Sequence, residues 1–161
     1  MTEAAQREVA KFEDLTGEER RALELIADGG SLKDIAGVDD DTVEALYALG
    51  YNFYVQDKYE EAEKLFQYVC LQSHLEPRYW MALANCRQML KKYDSAIDGY
   101  GYTYVLKQDD PWPVIQGAIC HLKMGNKELA AEALTLAEMT IEEGPANEEA
   151  KSRISALRAS L

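Results

Sequence analysis

Residues 43–76 read VEALYALGYNFYVQDKYEEAEKLFQYVCLQSHLE, and this stretch decides the fold. Leu46, Leu49, Gly50 and Phe53 recur at helical spacing, and after a short break Tyr59, Ala62, Leu65 and Phe66 begin a second helical pattern, so the unit reads as helix-turn-helix. Moving 34 residues along from Leu46, Gly50, Tyr59, Ala62 and Phe66 gives Trp80, Ala84, Tyr93, Ala96 and Tyr100. A second step of 34 gives Val114, Ala118, Lys127, Ala130 and Leu134. Large and small positions keep their size, apart from the lysine, and Pro77, Pro111 and Pro145 share the period. The pattern predicts helices near 41–55, 59–74, 77–90, 93–107, 111–124 and 127–142.

A 34-residue period, with a bulky residue four before a small one, an alanine twelve later and an aromatic or leucine four after that, is the tetratricopeptide arrangement. The expected fold is all-α: three tandem repeats at 43–76, 77–110 and 111–144, within a domain spanning 41–144, forming a curved superhelix. Residues 147–160 form a last helix with Ala150, Ile154, Leu157 and Leu161 on one stripe. A C-terminal segment of this kind, 145–161, caps an open-ended stack whose last repeat would otherwise leave its apolar face in water. At the other end, residues 1–17 are polar with scattered apolar positions such as Val9 and Phe12, which reads as a flexible or weakly helical N-terminus. The Thr16…Glu19 spacing resembles a capping box and starts a helical segment over 18–40, with Leu23, Ile26 and Ala27 on one side of its first helix. Gly29 and Gly30 end that helix, and a short turn of helix from Leu32 to Ile35 precedes Gly37.

Local punctuation agrees with the period. Asp41, three before Glu44, reads as a cap for the first repeat helix, and the run Asp39–Asp41 as favourable charge at a helix N-terminus rather than a metal site. Asp57…Glu60 reads as a second cap, Glu76-Pro77 and Asp110-Pro111 put proline at the first helical position, and Gly144-Pro145 ends the third unit. Gly99 and Gly101 fall inside a helix, where each costs about 1 kcal/mol relative to alanine, and close approach of a neighbouring helix is the expected reason.

The 161 residues, 47% of them apolar, suffice for one domain with a real core. A net charge of −12 without any basic cluster argues against nucleic acid and against an acidic partner. No apolar run approaches a membrane span, and the start MTEAAQREVAKFED lacks the basic-then-apolar order of a signal peptide, which predicts a cytoplasmic protein. Cys70, Cys86 and Cys120 form neither an even disulfide set nor a CxxC pair and read as small apolar residues in a reducing compartment.

In a tetratricopeptide stack the first helix of each pair lines a concave surface. Tyr47, Tyr51 and Tyr54, at i, i+4 and i+7, form a line separate from the face of Leu46, Leu49, Gly50 and Phe53, with Glu44 and Val55 beside them. Repeat two offers Arg78, Met81, Asn85, Gln88 and Met89 at equivalent sites; repeat three offers Trp112, Ile115, Ile119, Leu122 and Lys123. Such a surface suits an extended, mostly apolar peptide whose backbone is hydrogen-bonded by Asn85, Gln88 and the tyrosine hydroxyls.

Catalysis has little to stand on. Cys120 and His121 are adjacent on a helix, project about a third of a turn apart, and lack an Asp or Asn to orient the imidazole. Cys70, His74, Cys86, Cys120 and His121 show none of the usual zinc spacings. No Gly-rich phosphate loop follows a strand, so neither a cofactor, a metal nor a nucleotide is expected, and the protein does not read as an enzyme.

The segments LYALGYNFYVQDKYEEAEKLFQYVC, NCRQMLKKYDSAI and CHLKMGNKELA, preceded by ADGGSLKDIAGV at residues 27–38, resemble the class II chaperones of bacterial type III secretion, which hold hydrophobic translocator proteins. The resemblance covers roughly residues 25–140. It implies a cytoplasmic bacterial chaperone without nucleotide dependence, an all-helical three-repeat fold and frequent homodimerisation through the N-terminal helical region. It also implies that the groove takes up an extended segment near the translocator's N-terminus with a Pro-x-Leu-x-x-Pro-like pattern, at Tyr47, Tyr51 and Tyr54 and at Met81, Asn85 and Gln88 here. The alternative is a general tetratricopeptide adaptor with another peptide target. Its common carboxylate-clamping version requires Lys and Asn where this chain has Tyr47 and Tyr51.

Overall fold

Between Asp40 and Thr140 the chain runs through three successive helix pairs, each helix packing against the next in sequence. The computed structural model describes residues 16–141 and 147–161. The first pair is α3 (Asp40–Tyr54) with α4 (Tyr59–Gln72), the second α5 (Pro77–Met89) with α6 (Tyr93–Leu106), the third α7 (Trp112–Met124) with α8 (Lys127–Thr140). Helix α1 (Gly17–Ala27) and the single turn of α2 (Leu32–Ala36) precede them, and α9 (Glu148–Arg158) follows, packed on α7 and α8. The readings made on residues 1–15, on Gly144-Pro145 and on the side chains of Glu19, Leu23 and Ile26 lie outside the described residues.

The repeat shows in the backbone as well as in the sequence. Asp57, Lys91 and Gly125, one period apart, all take the left-handed conformation, at φ 60°, 60° and 81°. In each case the following N–H reaches back across the turn: Lys58 to Phe53 O at 3.0 Å, Lys92 to Arg87 O at 2.8 Å, Asn126 to His121 O at 2.9 Å. This turn ties off the carbonyls at the end of each first helix and reverses the chain into the second. It also corrects the expected Asp57 cap, because Asp57 is spent on the turn and its carboxylate accepts from Tyr59 Oη at 2.5 Å.

Other caps shift by a residue or two. Asp39, not Asp41, caps α3, accepting from Thr42 N at 2.8 Å and Thr42 Oγ1 at 2.9 Å, while Asp40 and Asp41 occupy the first turn. Glu76 caps α5 with Pro77 as its first residue. Asp110 accepts from Trp112 N at 3.0 Å, so α7 starts one residue after Pro111.

The core is one clustered layer per repeat. Val43, Ala62, Phe66, Val69, Tyr79 and Leu83 fill the first, Ala84, Ala96, Tyr100 and Cys120 the second. Val114, Ile115, Ala118, Leu134 and Ala137 fill the third, closed by Ala150 and Ile154 of α9. The glycines pack unequally. A Cβ on Gly50 would lie 2.8 Å from the Phe66 ring, and one on Gly99 3.0 Å from Ala84 Cβ, so both mark close helix contacts. One on Gly101 would meet nothing within 4 Å, so the close-approach reading holds for Gly99 and fails for Gly101.

Candidate functional site

Helices α3 and α5, the first members of successive pairs, form the two walls of a cavity of about 410 Å³. Tyr47, Tyr51 and Tyr54 line it from α3, and Met81 and Asn85 from α5, with Phe66 of α4 among the lining residues. The three tyrosines differ in their surroundings. The Tyr47 ring lies 5.6 Å from Phe66 and 5.1 Å from Tyr79, and Tyr54 meets Tyr59 edge-on at 5.4 Å. Both pack against the first core layer, and burial raises both phenol pKa values above the ordinary range. Tyr51 is 54% exposed and stacks on Tyr54 at 6.3 Å. The tyrosine line is therefore shared between core and groove, with Tyr51 its most open member.

The rest of the expected set divides. Gln88 sits on α5 three residues beyond Asn85, and both carboxamides meet one buried hydroxyl: Tyr100 Oη lies 2.8 Å from Asn85 Oδ1 and 2.6 Å from Gln88 Oε1. Met89 is exposed and away from the cavity lining. Ile115 is a correction: it is fully buried in the third core layer and faces no groove. Trp112 and Ile119 are half-buried against that same layer, which includes Ala150, Ile154 and Leu157 of α9. The C-terminal helix thus closes the third core layer, packing on α7 and α8.

Thr103 of α6, and Lys107 and Asp110 just beyond it, also line the cavity, so its lining is not confined to the first helices of the pairs. The charges at the site are paired among themselves. Arg78 lies over the Tyr47 ring at 5.4 Å, forms a two-pronged ion pair with Glu44, and approaches Glu76 at 3.4 Å. Tyr79 Oη also donates to Glu44, and that hydrogen bond, followed by the Arg78 contact, holds the Glu44 carboxyl below the usual range. Lys107 pairs with Asp110 at 3.6 Å. What remains is an apolar, aromatic channel whose ionic groups are paired with one another, with the Asn85 amide in its lining and Gln88 just outside it. It can hold an extended chain but offers no nucleophile.

The cysteines point the same way. Cys70, Cys86 and Cys120 are free and buried, and burial pushes their thiols up to about 12, 12 and 11 respectively. An activated thiol needs the opposite shift. His121 Nδ1 is buried without a hydrogen-bond partner, so it does not serve Cys120. No helix of the described residues is long and apolar enough to cross a membrane.

Comparison with known proteins places this geometry. The tetratricopeptide repeat model matches residues 43–70 and 77–110. Low calcium response locus protein H of Yersinia pseudotuberculosis is 34% identical over 143 residues, covering 88% of this chain and 85% of the relative. The Yersinia enterocolitica type III secretion chaperone SycD, in complex with a peptide of the translocator YopD, superposes with a TM-score of 0.72 at 35% identity, over 76% of this chain and 94% of that one. PcrH from Pseudomonas aeruginosa, in complex with the chaperone binding region of PopB, gives 0.70 at 35% identity, over 75% and 98%. With this identity sustained over nearly the whole of its relatives, and with the same paired helices, the chain belongs to the tetratricopeptide-repeat family of type III secretion translocator chaperones.

Proposed function

We propose that this protein is a bacterial cytoplasmic chaperone that binds an extended segment of hydrophobic translocator proteins in the α3–α5 groove, keeping them soluble and apart before export. The observation that carries the reading is the groove itself: an open aromatic channel between the first helices of repeats one and two, in a chain whose relatives are bound to a YopD peptide and to a PopB region. Tyr47, Tyr51, Tyr54 and Met81 supply apolar contact, and Asn85 and Gln88 supply polar atoms for a client backbone. An occupied groove masks the client's apolar surface and disfavours its premature association. Binding needs no nucleotide and no bond making, in keeping with buried, protonated thiols. Homodimerisation, present in a SycD structure, extends to this chain as part of the same proposal.

The test is fluorescence anisotropy of a labelled peptide carrying the Pro-x-Leu-x-x-Pro pattern, titrated with wild type and with Tyr47→Ala/Tyr51→Ala/Tyr54→Ala, circular dichroism reporting whether the triple variant is folded. Saturable micromolar binding that a folded variant loses is the expected result. Folded wild type that binds neither this peptide nor the chaperone-binding region of PopB overturns the reading and leaves an adaptor for another target.

A further inference from the structure

We propose that Tyr100 is a positioning residue of the groove: its hydroxyl ties down one end of each of the Asn85 and Gln88 carboxamides, donating its proton to one and accepting from the NH2 of the other, and thereby fixes which end of each amide faces the main chain of the client. The proposal rests on the groove reading above and adds a residue that lies outside the cavity lining. Tyr100 belongs to α6 and is 1% exposed, yet its hydroxyl is within hydrogen-bond distance of both carboxamides, at 2.8 and 2.6 Å. A phenol has one proton to give and oxygen lone pairs to accept with, so of two carboxamides meeting it one is held through its carbonyl oxygen and the other through its NH2. In a planar carboxamide holding one end also fixes where the other end points. Burial raises the phenol's pKa, so the group stays a donor at any ordinary pH.

The repeat supplies an independent argument. The positions equivalent to Tyr100 are Phe66 and Leu134, and those equivalent to Asn85 and Gln88 are Tyr51 and Tyr54 in repeat one and Ile119 and Leu122 in repeat three. The hydroxyl and the amide pair occur together in repeat two and neither occurs in its siblings. A buried hydroxyl gained at a position that otherwise takes a plain hydrocarbon needs partners, and the two amides are those partners. Asn85 and Gln88, three apart on α5, lie on one helix face with Cβ atoms about 5–6 Å apart. An extended chain presents both C=O and N–H groups along one side. One fixed NH2 and one fixed carbonyl on the same helix face match that pattern and read backbone rather than side chains, which suits a groove that holds an extended segment.

Two measurements test this. In the free protein, side-chain ¹⁵NH2 resonances of Asn85 and Gln88 are recorded for wild type and Tyr100→Phe; the positioning role predicts shifted, motionally averaged signals in the variant, and unchanged signals overturn it whether or not any client binds. With the labelled PopB region as probe, Tyr100→Phe is expected to weaken binding about tenfold, the worth of one to two hydrogen bonds. Combined with Asn85→Ala/Gln88→Ala it should add nothing further. An additive loss, or wild-type affinity in Tyr100→Phe, overturns the proposal. Absence of binding by wild type refutes the groove reading instead, and the resonance experiment still decides on Tyr100.

Discussion

Gly99 of α6 presses on Ala84 of α5, so closely that a Cβ at residue 99 would lie 3.0 Å from the Cβ of Ala84, while two residues on, at Gly101, the same atom would meet nothing within 4 Å. The two glycines share a helix and should respond oppositely to alanine. Gly101→Ala gains helix propensity at no steric cost and should raise unfolding free energy by about 1 kcal/mol. Gly99→Ala gains the same propensity but must push apart two backbones at a fully buried alanine, and should lower stability by about 1–2 kcal/mol. Urea unfolding of the two variants checks both signs.

Lys91 takes the left-handed turn that Gly125 takes one period later, at φ 60°. A Cβ in that conformation costs about 1–2 kcal/mol, so Lys91→Gly should stabilise the protein by up to about 1 kcal/mol once the added freedom of the unfolded chain is counted. A melting temperature that falls instead would show that the lysine side chain contributes more than its backbone costs.

Tyr51 and Tyr47 should separate binding from folding. Tyr51 is more than half exposed, so Tyr51→Ala should change stability by no more than about 0.5 kcal/mol while weakening the client peptide about 10- to 30-fold. Tyr47 packs on Phe66 and Tyr79, and Tyr47→Ala should cost about 2–4 kcal/mol in thermal unfolding besides its effect on binding.

Because Arg78 is held by Glu44 and Glu76, and Lys107 by Asp110, the groove presents no unpaired charge to a client. Peptide affinity should change less than about threefold between 50 and 500 mM salt, measured by anisotropy. A steep salt dependence would mean that the client engages the acidic surface rather than the channel.

At alkaline pH the thiols should weaken the fold. Burial holds Cys70 and Cys86 at about 12 and Cys120 at about 11, against 9.0 when solvated, so the unfolded chain loses these protons first. Their contribution is fully present below pH 9 and is lost as pH rises through 11 to 12, on the order of 1 kcal/mol per thiol per pH unit. The same thiols should resist an aromatic disulfide reagent at pH 8 until the protein is denatured. Rapid native labelling would contradict the burial.

The helices were legible in the sequence because the 34-residue period repeats both the packing pairs and the turns. The tyrosines of α3 could be placed because helical spacing separates Tyr47, Tyr51 and Tyr54 from Leu46, Gly50 and Phe53 on one element. Ile115 was misplaced by the same logic. It stands one period from Met81, which lines the cavity, but Ile115 is fully buried in the core layer shared by α7, α8 and α9, and periodicity alone does not tell a core-facing position from its groove-facing neighbour. Asp39, Asp57 and Asp110 show the limit at helix ends, where several neighbouring acids can each reach a free N–H and only the backbone decides among them. Tyr100 could have been found, since a tyrosine aligned with Phe66 and Leu134 announces a hydroxyl in need of a partner.

The Glu44–Arg78 pair spans one repeat, and the corresponding residue of the third unit is Trp112. Arrays of near-copies run a risk of misassembly, in which a unit docks on the wrong sibling, in its own chain or in another, because all present similar apolar faces. At this position the three units carry an acid, a base and an indole. Unit one seated against unit three would set a carboxylate beside an aromatic ring with no cation in reach; seated against another copy of itself, it would set two carboxylates together. Divergence at one repeat position thus distinguishes the units by charge where their apolar faces are alike.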